Sequence, residues 1–252
     1  MKLSCALKIS SYSVITVIGG GGKTSTLLTL ADELREEQKK AFITTTTKMA
    51  ASELAAFPVV YAENFQELLQ KIRVALHKHD QIALGLKVSN DGKVHGIPPE
   101  WVDKLAILYP DYWILVEGDG AARKPFKAPS GHEPVIPSST KLVIGVVGVE
   151  VIGQVLLESY VHRADLISRL SNLPLGKILT PTVVCDVVMH PQGYHKAIPV
   201  HSSFAVVINK VDSSLAQKRG RELAHLLLSC GVTSVVLTSF KSNIPVQEVF
   251  YS

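Results

Sequence analysis

The 252 residues are 46% hydrophobic, 19% charged and 6% aromatic, a balance that supplies a packed core and excludes intrinsic disorder. Lys and Arg total 26 against 22 Asp and Glu, and the resulting charge of +4 suits a small anionic ligand while being too weak and scattered for nucleic acid. There is no apolar run of about 18 residues to span a bilayer, and Met1-Lys2-Leu3-Ser4-Cys5 opens no secretory leader. Cys5, Cys185 and Cys230 stand too far apart for a disulfide framework or a zinc knuckle. A cytoplasmic protein is the expectation.

Short β-branched runs alternate with longer helical patterns along the chain. Val14 to Ile18 is continuous in apolar content and predicts a buried strand. Glycines follow, and then Leu27, Leu30, Ala31 and Leu34 recur at helical spacing with charges between them. Further strands are predicted at Ala41–Thr45, Pro58–Tyr61, Ile82–Leu86, Trp113–Val116, Leu142–Val147, Phe204–Ile208 and Ser234–Leu237. Apolar strands separated by helices predict an α/β fold of three layers, a mostly parallel sheet covered on both faces. Residues 1–252 read as one nucleotide-binding domain. A small hairpin insertion near 86–97 turns at Asn90-Asp91-Gly92 and is expected to be a surface decoration. The proline-rich stretch Pro125–Pro137, crowded by Arg123, Lys124, Lys127, His132 and Glu133, reads as a working loop rather than a linker.

Three motifs carry the chemistry. Gly19-Gly20-Gly21-Gly22-Lys23-Thr24-Ser25 lies between the first strand and the first long helix. In that position glycine N–H groups and a helix N-terminus cradle phosphate, Lys23 reaches the outer phosphates, and the Thr24 hydroxyl ligates Mg2+. The spacing is G-x-x-G-K-T, because Val17 occupies the first glycine position of the longer loop; the compact form resembles that of Mur-type ligases. Ile114 to Gly120 ends an apolar strand in Glu117 and Asp119, either of which presents a carboxylate to Mg2+. Asn209-Lys210-Val211-Asp212, directly after a strand, resembles the guanine-reading element of GTPases, in which a carboxylate accepts hydrogen bonds that adenine cannot donate. Thr238-Ser239 matches a further base contact only faintly. Thr46 and Thr47, at the end of the second strand, are candidates to sense a terminal phosphate or hold a water. His190 and His195 have no partner at metal-ligand spacing and read as loop residues.

Taken in order, the phosphate loop, the Thr run to Lys48, Glu117-Gly118-Asp119-Gly120, Arg123, Pro125, Lys127-Ala128-Pro129, His132-Glu133-Pro134, His190-Pro191-Gln192-Gly193 and Asn209 to Asp212 resemble the YqeC family over residues 14 to 240. Gly118 and Ala197 depart from it, since the family more often carries alanine and glycine there. The resemblance implies a cytoplasmic nucleotide-binding protein that helps mature a selenium-dependent molybdenum hydroxylase, with that client as a partner and no role for nucleic acid or membrane.

The residues themselves lead to an Mg2+-dependent P-loop hydrolase of GTP or ATP. Lys23, Asp119 and Arg123 are its candidate catalytic groups, with Arg123 as a charge-stabilising finger. Gly19 to Ser25, with Asn209, Lys210 and Asp212, would bind the nucleotide; Thr24 with Glu117 or Asp119 would hold the metal. A basic segment at Arg123 and Lys127 would take a second anionic small molecule, which leaves a phosphotransferase or ligase as one alternative. A nucleotide-gated scaffold for a client enzyme is the other.

Overall fold

A computed structural model describes all of residues 1–252. In chain order the elements are α1 (Leu3–Ala6), β1 (Val14–Gly19), α2 (Lys23–Glu36), β2 (Ala41–Thr45), β3 (Lys48–Ala50), β4 (Val59–Tyr61), α3 (Phe65–Leu76), β5 (Gln81–Gly85), β6 (Lys87–Val88), β7 (Lys93–His95), α4 (Pro99–Leu108), β8 (Trp113–Glu117), β9 (Leu142–Gly148), α5 (Ala164–Ser171), α6 (Pro181–Met189), β10 (Ser203–Asn209), α7 (Ser214–Ser229), β11 (Ser234–Thr238) and β12 (Val246–Tyr251). Nine strands form one sheet in the order β12-β11-β10-β9-β1-β8-β2-β5-β4. Every pair is parallel except β11 with β12. The eight strands expected from apolar runs are all present, with every end within one residue of its expected place.

The burial pattern explains the layering. All residues of β1, β2, β5 and β9 are buried, as both faces of a parallel sheet require. On one face, Leu27, Leu30 and Leu34 of α2 and Leu3 of α1 pack on Ile15, Val17, Ile43 and Leu115. The other face is divided. Leu68 and Ile72 of α3 with Val102 and Leu105 of α4 cover Phe42, Ile82 and Ile114, while α5, α6 and α7 cover Val143, Val206 and Val235. Glu33, buried in α2, accepts from the amides of Leu3 at 2.8 Å and Ser4 at 2.6 Å and so caps the short α1.

A parallel sheet brings the carboxyl ends of its strands to one edge, and the loops after β1, β2, β8 and β10 meet there. The hairpin at 86–97 is more than decoration. Its strands β6 and β7 join β3 in a three-stranded antiparallel sheet beside the end of β2. The Pro125–Pro137 stretch lies against the body of the protein, with Phe126, Lys127 and Ala128 fully buried.

Candidate nucleotide-binding site

The glycine loop is held from several sides. Gly19 N–H donates to both oxygens of Asp119 at 3.1 Å, Gly20 N–H to the carbonyl of Val146 at 2.9 Å, and Gly21 N–H to that of Lys124 at 2.9 Å. Gly21 and Gly22 have φ of +83° and +142°, and a Cβ on Gly22 would stand 2.2 Å from Asn209 Nδ2, so no other residue fits there. Three of the four glycine amides are therefore spent inside the protein. The amides from Gly22 through Ser25, the first turn of α2, find no acceptor in the chain. Gly19, Gly20 and Gly21 thus shape the loop, and Gly22, Lys23, Thr24 and Ser25 offer the free donors.

Those donors open into a cavity of about 600 Å3. Its lining carries the cations Lys23, Lys48, Lys93, Arg123, Lys124 and Lys210 against only Glu53 and Glu117, which selects an anionic occupant. A cavity of about 580 Å3 at the opposite edge of the sheet, near Ser10, Lys39 and Tyr112, lies at the amino ends of the strands, away from these donors.

Glu117 and Asp119 differ in placement. Glu117 ends β8 at the cavity wall, and its Oε2 accepts from the Thr24 hydroxyl at 2.9 Å. Burial pushes its carboxyl up to about 7 against the pull of the Lys23 ammonium and the Thr24 hydrogen bond. Asp119, 2% exposed, lies beneath the loop, taking Gly19 N–H and pairing with Lys23 Nζ at 3.4 Å and Lys127 Nζ at 3.0 Å. It positions the loop and does not line the cavity. Thr24 and Glu117 both line the cavity, and a hydroxyl beside a carboxylate is an oxygen donor set of the kind Mg2+ takes.

Lys127 corrects the expected second-anion site. Its side chain is 0% exposed; the ammonium bonds the carbonyl of Gly120, Asp119 Oδ2 and, at 2.8 Å, Glu133 Oε2. Arg163 Nη1 reaches the same Glu133 oxygen at 2.7 Å. Burial alone would lift the Glu133 carboxyl, but hydrogen bonds from Lys127 and Arg163 outweigh it and hold it at about 2. Lys23, Asp119, Lys127 and Glu133 thus form a continuous buried ionic chain under the loop, which ends on the partly exposed Arg163. Arg123, by contrast, is exposed on the cavity rim, with φ +58°.

The Asn209 to Asp212 element touches the loop. Asn209, 4% exposed, donates from Nδ2 to Gly21 O at 2.8 Å and accepts from Thr238 Oγ1 at 3.1 Å, stapling the phosphate loop to the ends of β10 and β11. Lys210 lines the cavity and pairs with Glu150. Asp212 is held by the Ser239 hydroxyl at 2.5 Å, outside the cavity wall. The hydroxyls of Thr238 and Ser239 therefore orient Asn209 and Asp212. Thr46 and Thr47 do not line the cavity, and their hydroxyls are engaged within the chain: Thr46 donates to Val135 O at 2.7 Å, and Thr47 shares a hydrogen bond with Thr45 at 3.3 Å. His195 is half-buried edge-on to Phe204, and His190 Nδ1 accepts Gln192 N–H, so both are structural. Sequence reasoning passed over Lys93 and Glu53 because their strand and turn are too short to carry a pattern.

A family model described as YqeC protein matches residues 15–165, more than half of the chain. The Escherichia coli (strain K12) protein described as "Uncharacterized protein YqeC" is 37% identical over 111 residues, which are 44% of this chain and 43% of that relative. The matched part thus spans less than half of that relative's length. Among solved structures, that of the signal recognition particle receptor FtsY from Elizabethkingia anophelis aligns with 90% of this chain and 49% of its own, at 14% identity and a TM-score of 0.32. At that score the likeness carries no weight, and the fold rests on the strand order described above.

Proposed function

The chain belongs to the YqeC family, and from that premise we propose that it is an Mg2+-dependent P-loop hydrolase of GTP or ATP. In this reading it is a cytoplasmic accessory factor in maturing a selenium-dependent molybdenum hydroxylase, which it engages as client. The pathway comes from the family resemblance alone; the chemistry comes from the site. The observation that carries it is the row of four unpartnered amides from Gly22 to Ser25, opening beside the Lys23 ammonium and the Thr24–Glu117 pair into a cationic cavity.

The residues divide the work. The free amides and the dipole of α2 hold the phosphates. Lys23, which now bonds Gly19 O at 2.9 Å and Asp119, moves its charge onto the terminal phosphates as they enter. Thr24 and Glu117 would hold the metal, which supplies charge neutralisation between the outer phosphates. Arg123, free on the rim, is the cation placed to stabilise charge as the terminal phosphoryl departs. Asn209 fixes the loop, and Asp212, held by the Ser239 hydroxyl outside the cavity wall, would accept from a guanine base that extends past Asn209.

Titration with ATP, GTP and their diphosphates, each with and without Mg2+, tests the reading. Tight Mg2+-dependent triphosphate binding that is lost in Lys23→Ala is expected; retention of that binding in Lys23→Ala overturns the loop assignment. A phosphotransferase or ligase is the second reading, favoured by the extent of the cavity beyond the phosphate loop to Lys48 and Lys93. It predicts slow turnover until an acceptor is added.

A further inference from the structure

The cavity wall farthest from Asn209 is made by the small antiparallel sheet. Met49 and Val94 pair directly across β3 and β7 and are both buried in the core, so strand alternation turns Lys48, Ala50 and Lys93 to the opposite side. Those three residues line the cavity. The sheet is fixed to the body of the protein at the end of β2, where Ile97 N–H donates to Thr45 O, while Gly96 N–H to Thr47 O and Ala51 N–H to Gly92 O extend the pairing of β3 with β7. A Cβ on Gly96 would meet Thr45 O at 2.1 Å, which shows how closely the hairpin lies against the end of β2.

A third cation approaches from the rim. Lys124 N–H closes a turn onto Ala121 O at 2.8 Å, and both central residues, Ala122 and Arg123, have positive φ, +46° and +58°. Two consecutive non-glycine residues in that region are strained, and such strain persists where surrounding structure enforces it, often at binding sites. Here it aims Arg123 at the cavity. Most lining cations already have partners. Lys23 is held by Gly19 O and Asp119, Lys124 by Ser159 O, Lys210 by Glu150 and Lys93 by Asp91. The side chains of Lys48 and Arg123 make no hydrogen bond or ion pair within the chain.

Strand order supplies the direction. β10 and its Asn209 stand two strands to one side of β1; β2 and Lys48 stand two strands to the other. A triphosphate lying on the first turn of α2 with its base toward Asn209 points its terminal phosphate at the small sheet. We infer that the space between that turn and the small sheet is a subsite for a second substrate, a small molecule bearing a phosphate or carboxylate group, bound by Lys48, Lys93 and Arg123. This deepens the nucleotide reading and rests on it for orientation, and it gives the hairpin insertion a purpose.

Calorimetric titration with inorganic phosphate, and in a separate arm with malonate, tests this on full-length protein saturated with Mg2+ and the imido analogue of whichever of GTP or ATP it binds. The phosphate loop is then filled, and any further site is read directly. Wild type is expected to bind at least one probe. Lys48→Glu combined with Lys93→Gln should weaken that binding about tenfold or more, as expected for losing charge-assisted hydrogen bonds, with nucleotide affinity unchanged. Lys87→Glu, on β6 of the same hairpin but outside the cavity, is the control for a diffuse charge effect. Failure of the nucleotide-filled protein to bind either probe overturns the subsite, as does equal weakening by Lys87→Glu. If neither imido analogue binds, the nucleotide reading fails by itself. The phosphate titration on free protein then decides the subsite, and equal affinities for the Lys48 and Lys87 variants overturn it.

Discussion

Replacing Lys127 by methionine retains the length of the side chain and removes one charge from the buried chain under the phosphate loop. In the wild type the ammonium is fully buried and pairs with Asp119 at 3.0 Å and Glu133 at 2.8 Å. Breaking such a pair from one side leaves carboxylates uncompensated, at a cost of about 3–5 kcal/mol. Arg163 remains on Glu133 and Lys23 on Asp119, so the lower end, about 3 kcal/mol, applies. For a domain of this size that is a fall in Tm of about 6–12 °C. The pH dependence is a second reading of the same contact. Glu133 is held at about 2 when folded against an ordinary 4.5, so the stability it contributes is complete above about 4.5 and lost as the pH falls toward 2. Lys127→Met removes part of that contribution, and the gap between variant and wild type must therefore narrow on acidification from pH 6 to pH 3. Thermal unfolding followed by circular dichroism across that range is the assay. A variant as stable as the wild type at pH 7, or a gap that widens in acid, refutes the view that this network supports the loop.

Glu117 titrates in the opposite sense. Its folded value of about 7 lies above the ordinary 4.5, so the folded chain keeps a proton that the unfolded chain releases, and stability declines as pH rises between the two. Glu117→Gln should flatten that decline and abolish the Mg2+ dependence of nucleotide binding, measured by denaturation at pH 5 and 8 and by titration with and without metal; an unaltered pH slope would place the titration elsewhere. Ala197 adopts φ +63° at an exposed position, so Ala197→Gly should stabilise by about 1 kcal/mol or less, read from the urea midpoint, and a destabilised variant would contradict the strain. Asp212→Asn retains an oxygen for the Ser239 hydroxyl and should shift preference from guanosine toward xanthosine nucleotides; if ATP binds best in both proteins, residues 209–212 serve only to staple the loop.

The parallel sheet was legible in the sequence because continuous apolar runs such as Val14 to Ile18 have no other stable home than between two layers of helices. β12 was missed since Gln247 and Glu248 interrupt its apolar content, which an antiparallel edge strand tolerates and a central one does not. At the site, local chemistry was readable and partnership was not. The glycine loop and the strand ending in Glu117 were evident from residue types in order. No spacing rule could show that Asp119 would turn beneath the loop, because its partners Lys23 and Lys127 come from separate segments. Lys127 illustrates the same limit, since a lysine in a proline-rich loop looks solvated until Asp119 and Glu133 meet its ammonium. Gly118 is where the family more often has alanine, and a Cβ there would meet a Thr16 methyl at 2.8 Å, so the pairing of β8 with β1 is locally tighter than that substitution allows.

Asp119 shares its charge between two ammonium groups, and only one of them can leave. Should Lys23 be drawn to a polyanion, Asp119 would be left to Lys127 alone, and Arg163 at the start of α5 would remain the second cation on Glu133. The charges beneath the glycine loop are thus tied, contact by contact, to the residue that opens α5, far along the sequence.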